Sequence, residues 1–506
     1  MKNIFIILLL LSEFASYSQS FHSYIFDQKN QYAWLKEYTD FLAIPNVLGD
    51  SLNMIKNAQR ISEMLTRLHV KNELLFSGRK NSAPCVYGEV MTPGATTTIA
   101  FYAHYDGQPV NPKQWADGLE PFKPSLLDNR IDKGGKRIAF PNENEPINST
   151  WRLYARASSD DKAGVYAIIQ AYETILQSNQ KPTINIKFLF EGEEEAGSIN
   201  LDEIFHRNTA KLSADLWVIC DGPRHVSGKK QVVFGVRGDV NLDLKVYGSK
   251  RPLHSGNYGN WAPNPAMRLA QLLASMKDKN GKIIIPGFYD DVTPLSESEK
   301  KAIALVPNIE SILKEDLALG LPDGNGKNFL ELLSLPTINI NGMASGNIGA
   351  MASNQIPTDA TAVLDLRLVK GNDVNKQIEK IKTHVKNQGY TVLDHEPSDD
   401  ERKQYPLIAK ITARAGGYNA QRTPMDLPIA QRVVQAIKTT VDYDIIRIPS
   451  AGGSLPLFLF EKILGAQPIS VPIVNYDNNQ HAENENLQLQ YLWEGIETMA
   501  AIMMMK

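Results

Sequence analysis

The stretch Thr97-Thr98-Ile99-Ala100-Phe101-Tyr102-Ala103, followed by His104-Tyr105-Asp106-Gly107-Gln108-Pro109, carries the decisive signal for the fold. A run of β-branched and aromatic residues stops on a histidine and an aspartate, and Gly107 and Pro109 then end any strand. Two further runs share this plan: Thr183–Phe190 closes on Glu191, and Asp215–Cys220 closes on Asp221. Between the first two a helix is expected from about Asp161 to Leu176. There Val165, Ile168, Ile169, Tyr172, Ile175 and Leu176 recur at helical spacing. Strand, helix and strand in this order imply an α/β fold, with a mixed, mostly parallel sheet and helices on both faces. In such sheets ligands sit just beyond the carboxyl ends of the strands, so the polar residues closing each run are placed to meet one another.

The middle of the chain is patterned differently. Alternating strands (Asn241–Tyr247, Ala360–Leu368) flank helical stretches, and Ser296 with Glu299 reads as a capping box. The stretch from Ile285 to Leu335 is too patterned for a linker. An α+β domain spanning 239–420 and inserted into the first is the expectation. It leaves 19–238 and 421–506 as the two parts of the catalytic domain, the second ending in an amphipathic helix after Asn486. Residues 1–18 read as a signal peptide, because Lys2 precedes the apolar run Ile4–Leu11 and a small-x-small signal, Ser16-Tyr17-Ser18. Export to the periplasm or the medium is therefore expected.

The 506 residues suffice for two domains. Hydrophobic residues make up 43% and charged ones 22%, the balance of a soluble protein, and the net charge of −3 argues against nucleic acid as a partner. Beyond the N-terminal run no segment is apolar for long enough to span a membrane. Cys85 and Cys220 are too few for a disulfide framework and are read as separate core thiols.

Five short motifs place metal-type ligands at predicted strand ends: His104-Tyr105-Asp106, Asp160-Asp161-Lys162, Glu193-Glu194-Glu195-Ala196-Gly197-Ser198, Asp221, and His481 in Gln480-His481-Ala482-Glu483-Asn484-Glu485. Imidazole with carboxylate suits zinc, and two metals need a carboxylate able to bridge them. Each motif has a bland reading alone: a satisfied histidine, a solvated run of Glu, an Asp pair capping a helix. In order and at this spacing they resemble the carnosinase, glutamate carboxypeptidase and aminoacylase family of dinuclear zinc amidohydrolases, over roughly residues 30 to 505.

The resemblance implies a role for each residue. His104 and Asp221 would serve one metal, Glu195 and His481 the other, and Asp160 both, with a cis peptide bond after it. Asp106 would hold the second ring nitrogen of His104. Glu194 would be the general base, the following Gly197-Ser198 setting the frame of the triple Glu. His254 would reach the site of a symmetric partner subunit and stabilise the oxyanion. Arg367 would grip a substrate carboxylate, with Asn354 and Ser454 as further substrate contacts.

Some positions depart from that family. Ala155-Arg156-Ala157 stands for Gly-Arg-Gly, Gly107 for a Val, and extra chain between Pro124 and Trp151 reads as a surface hairpin near the mouth of the site. The resemblance implies metal-dependent hydrolysis of a dipeptide or short peptide by a homodimer built through the inserted domain. Two divalent ions, zinc first and manganese or cobalt as alternatives, would hold the attacking hydroxide. Aminoacylase-like deacylation of N-acyl amino acids is the alternative within the same chemistry. A non-catalytic binding module is the alternative from another class, and it predicts loss of Glu194 or a ligand, all of which are present.

Overall fold

Residues 21–324, 326–453 and 455–506 are described by the structure, a computed structural model. The helix foreseen after Asp161 runs from Lys162 to Gln177 and is buried along almost its whole length. That burial follows from its position: it covers one face of an eight-stranded sheet, with the C-terminal helix Leu489–Met503 packed beside it. The three apolar runs of the sequence are the strands Thr98–His104, Asn185–Glu191 and Leu216–Ile219. They lie side by side and parallel, with the His104 strand in the middle, and Pro468–Ser470 continues the parallel set. Cys85–Val90 and Lys71–Leu75 extend one edge antiparallel. The sheet is thus mixed and mostly parallel, as expected. In register, His104 is paired with Glu191, so the carboxyl ends of these strands are level.

The central segment builds its own five-stranded sheet, in the order Thr337–Ala344, Asp359–Leu368, Gly238–Tyr247, Ile408–Ala413, Thr391–Leu393. Its burial alternates along Asp359–Leu368 and along residues 238–246, the mark of a sheet with one covered face. The apolar face packs with Leu269, Leu272 and Leu273 of one helix and Ile378, Ile381 and Val385 of another, a core separate from that of the large sheet. Ser296 caps the helix Glu297–Leu305 with the expected reciprocal Glu299.

The extra chain after Pro124 does form a hairpin, Ser125–Leu127 against Arg137–Ile138, on the edge of a small four-stranded sheet. Cys85 and Cys220 are both buried and free. Among the described residues no helix is long and apolar enough to cross a membrane. The segment read as a signal peptide lies outside the described residues.

Candidate metal centre

His104 at a strand end, Asp221 just beyond another, and side chains from the loops and turn that follow neighbouring strands meet at a common point. His104, the last residue of its strand, is fully buried, and its Nδ1 lies 3.2 Å from the backbone carbonyl of Asp106 and 3.3 Å from that residue's Oδ1. The ring is thereby oriented with Nε2 outward. Nε2 stands 3.1 Å from Oδ1 of Asp160 and 3.9 Å from Oδ2 of Asp221. On the other side, Nε2 of His481 lies 3.0 Å from Oδ2 of Asp160 and 3.4 Å from Oε2 of Glu195. Two donor groups result, and the two oxygens of Asp160 face one histidine each.

The Asp pair divides its labour. Asp161 is the helix cap: its Oδ1 accepts from the N–H of Gly164 at 3.1 Å, and its Oδ2 accepts from the N–H of His104 at 3.2 Å. It lies close to His104 and Asp221, but both of its oxygens already hold amide protons. Asp160, joined to it by a cis peptide bond, is left to face the cluster. The triple Glu is sorted by its surroundings too. Glu193 is turned away, accepting from the N–H of Ala83 at 2.8 Å and from Asn200 Nδ2 at 2.6 Å. The next two residues begin a short 3-10 turn, whose first amides donate to Asp106, Glu194 N–H to Oδ1 at 3.1 Å and Glu195 N–H to Oδ2 at 2.9 Å. Asp106 therefore aligns His104 and both glutamates at once. Glu194 Oε2 comes to 3.8 Å from His104 Nε2, and Gln108 donates to Glu195 Oε2 at 2.7 Å.

Burial dominates the electrostatics. It raises the carboxyl of Glu194 well above the usual range, and the nearby His104 offsets this only in part. Burial and then repulsion from Asp160 bring Glu195 to about 7 and Asp221 to about 6. Asp160 is the exception: burial pushes it up, but the contacts of His104 and His481 hold it below the usual carboxylate range. The hydrogen bond to Asp160 lifts His481 to about 9. Acids crowded and buried this closely resist ionising together, and added positive charge between them would relieve that. Donors gather in two groups, His104 with Asp161 and Asp221 and His481 with Asp160 and Glu195, and Asp160 also reaches His104, an arrangement that fits a pair of divalent cations.

One residue essential to this geometry carries no role in the motif reading. Glu485, buried, accepts from Arg156 Nη1 at 2.7 Å, from the N–H groups of Ala157, Ser159 and Asp160 at 3.0, 2.9 and 2.9 Å, and from Ser159 Oγ at 2.9 Å. It holds the backbone that presents Asp160. Its place four residues after His481 was the only trace of it in the sequence. Ala157, standing where the related pattern has Gly, adopts φ 62°, a left-handed conformation that glycine takes more readily.

The cluster opens into a cavity of about 510 Å³ lined by Asp160, Glu194, Asp221, Gln480 and His481 on one side. Gly452 and Gly453 line this cavity, while Ser454, one of the expected substrate contacts, lies outside the described residues. His254 and Asn354 are neighbours elsewhere. His254 ends a short strand paired with Gln355–Ile356, and Asn354 directly precedes that second strand, with Ser255 N–H donating to the Asn354 carbonyl at 2.9 Å; both residues are exposed. Arg367 sits opposite Asp239 in the five-stranded sheet, its Nε 3.1 Å from Asp365. Within this chain these three are not brought to the cluster.

The profile of Peptidase family M20/M25/M40 matches residues 100–505, a span that takes in every one of these ligands. The chain belongs to that family. It is a metal-dependent peptidase. Relatives of this M20 peptidase include the human Beta-Ala-His dipeptidase, 25% identical over 83% of this chain and 76% of that protein. Another is the Cys-Gly metallodipeptidase DUG1 of Saccharomyces cerevisiae, 26% identical over 92% and 93% of the two chains. Among solved structures, the M20 family metallo-carboxypeptidase Sso-CP2 from Sulfolobus solfataricus superposes with a TM-score of 0.73 at 28% identity, covering 93% of this chain and 98% of the other. The expectation of an exported protein is corrected here: the yeast Cys-Gly metallodipeptidases are cytosolic enzymes. A short apolar run behind one lysine is a compositional signal, and it does not by itself decide a compartment.

Proposed function

We propose that this M20 peptidase hydrolyses dipeptides, with Glu194 as general base and two divalent ions, zinc foremost, held by His104, Asp160 and Asp221 on one side and by Asp160, Glu195 and His481 on the other. The observation that carries this reading is the split of Asp160, with one oxygen 3.1 Å from His104 and the other 3.0 Å from His481. When bound, such ions polarise the scissile carbonyl and lower the pKa of water. Glu194, buried and with a raised pKa, takes a proton from the attacking water and returns it to the leaving amine. Asp106 keeps His104 and the Glu194 turn in register throughout.

The remaining site sits across a two-fold axis in this proposal. His254 and Asn354, exposed and paired in the segment 239–420, serve the site of a partner subunit, His254 meeting the developing oxyanion. Arg367 grips the substrate's carboxylate, and Asn354 and Ser454 make further polar contacts with the substrate. Glu194→Gln, purified with its metals, tests the assignment: turnover of a dipeptide is expected to fall by about two orders of magnitude or more, with metal content unchanged. Near wild-type turnover would remove Glu194 from the role. Faster release of acetate from N-acetyl amino acids than of amino acids from any dipeptide would favour a deacylase.

A further inference from the structure

The wall of the catalytic cavity opposite the metal cluster is not built by the large sheet alone. One segment, between residues 303 and 333, brings Ile303, Val306, Ile309, Phe329, Leu330 and Leu333 to it. Val306 and Leu330 pack there against Val233 and Ile448, so aliphatic surface meets aliphatic surface along that side. The polar groups of the segment are engaged with one another. Glu310 accepts from the N–H of Phe329 at 2.9 Å, Asn308 from the N–H of Glu310 at 2.9 Å, and Asn328 from the N–H of Leu330 at 2.9 Å. Asn308, Glu310 and Asn328 also line the cavity, as do Arg224, His225 and Gln231, but most of the surface that the segment itself contributes is aliphatic or aromatic.

The segment is also anchored. Glu299, in the first turn of the helix that leads into it, is buried and pairs with Arg422 at 3.1 Å, and Arg422 donates to the carbonyls of Thr293 and Pro294 at 3.0 and 3.1 Å. The wall is thus tied to the strand Gln421–Arg422 at the edge of the catalytic body. A cavity of about 510 Å³ holds a dipeptide with large side chains, and a small polar one would leave apolar surface wetted.

We infer that this wall is the side-chain pocket of the enzyme and that it selects dipeptides carrying a bulky aliphatic or aromatic residue. The inference rests on the dipeptidase reading above. The relatives' names point to β-alanyl-histidine and cysteinyl-glycine, whose side chains are polar or small; the pocket here asks for leucine, isoleucine or phenylalanine. Removing one methylene from a side chain that fills an apolar pocket changes kcat/KM by about 10- to 200-fold, which is the scale on which selection would be read.

The test compares kcat/KM of the metal-loaded enzyme on Leu-Gly, Gly-Leu, Phe-Gly, Gly-Phe, β-Ala-His, Cys-Gly and Gly-Gly. At least one apolar dipeptide is expected to exceed β-Ala-His, Cys-Gly and Gly-Gly by about tenfold or more. In Leu330→Asp, and separately in Ile309→Asn, the ratio of that dipeptide to Gly-Gly is expected to fall to less than about a third of the wild-type ratio. Both positions are only half-buried, which leaves the fold intact, and thermal melts check this. Hydrolysis of β-Ala-His or Cys-Gly at least as fast as the apolar set, or a ratio unmoved in both variants, overturns the pocket while leaving the dipeptidase reading standing. Failure to cleave any of the seven dipeptides overturns the dipeptidase reading itself.

Discussion

His481 Nε2 lies 3.0 Å from Asp160 Oδ2, although one residue sits on a loop near the C-terminus and the other just before the buried helix Lys162–Gln177. His481 reaches this point from a left-handed backbone conformation, φ 63°, on a loop where Asn479 and Asn484 share that conformation. Asp160 is the one carboxylate placed between both histidines, whereas His481 belongs to one donor group. Asp160→Asn is therefore expected to lose most of both ions, and His481→Ala about one of two, by elemental analysis of protein dialysed against dilute zinc. Equal loss in the two variants would show that Asp160 does not bridge.

Glu485 should act on the centre without touching it. Its carboxylate accepts five hydrogen bonds, including one from the buried Arg156, and these fix the turn that aims Asp160. Breaking a buried pair leaves a charge uncompensated, at a cost of about 3–5 kcal/mol. Glu485→Gln is expected to lower the melting temperature and to weaken metal binding by about tenfold or more, whereas Glu485→Asp, which keeps the charge, should recover part of both. A lower melting temperature with unchanged metal affinity would make the residue structural only.

Metal loading should be coupled to protons, with a definite sign. Without metal, the hydrogen bond to Asp160 lifts His481 to about 9 and burial lifts Glu195 to about 7, so at neutral pH His481 holds a proton, and Glu195 holds one part of the time, that a cation must displace. Affinity is expected to fall as pH drops through these values and to rise above them. Titration calorimetry of the metal-free protein with zinc at pH 7.5, in buffers of different ionisation enthalpy, should show net release of about one proton or more per chain. Buffer-independent heats would mean that the ligands are already deprotonated.

The catalytic face was legible because apolar runs mark strands, and a parallel sheet constrains where their carboxyl ends lie. That placed His104 and Asp221 at strand ends, while their roles as ligands came only from the resemblance of the five motifs together. Other assignments depended on partners remote in sequence. Glu193 is set aside by Ala83 and Asn200, and Asp161 is the cap because its oxygens hold the amides of His104 and Gly164. The role of Glu485 is written in Arg156 and the turn after it, which no local pattern near His481 reveals. The segment from Ile285 to Leu335 was visible as structured chain, with its capping box, but which of its residues face Val233 and Ile448 is a property of packing. The hairpin after Pro124 formed as expected, though its residues are not among those lining the cavity.

The placement of His254 leads to the last test. It is exposed on its short strand and is not among the residues lining the cavity of its own chain, which is why we propose that it serves the site of a second copy. His254→Ala and Glu194→Gln should each be nearly inactive as homodimers. In a mixed dimer, the His254→Ala protomer keeps its own Glu194 and receives an intact His254 from its partner, whereas the other site lacks both groups. Random pairing of an equal mixture makes half of all dimers mixed, and one of the two sites in each is then complete. Unfolding and refolding the mixture should therefore restore activity in about a quarter of all sites, measured against wild type treated identically. Should mixed dimers form on a sizing column and yet show no more activity than the two variants alone, His254 does not act across the interface.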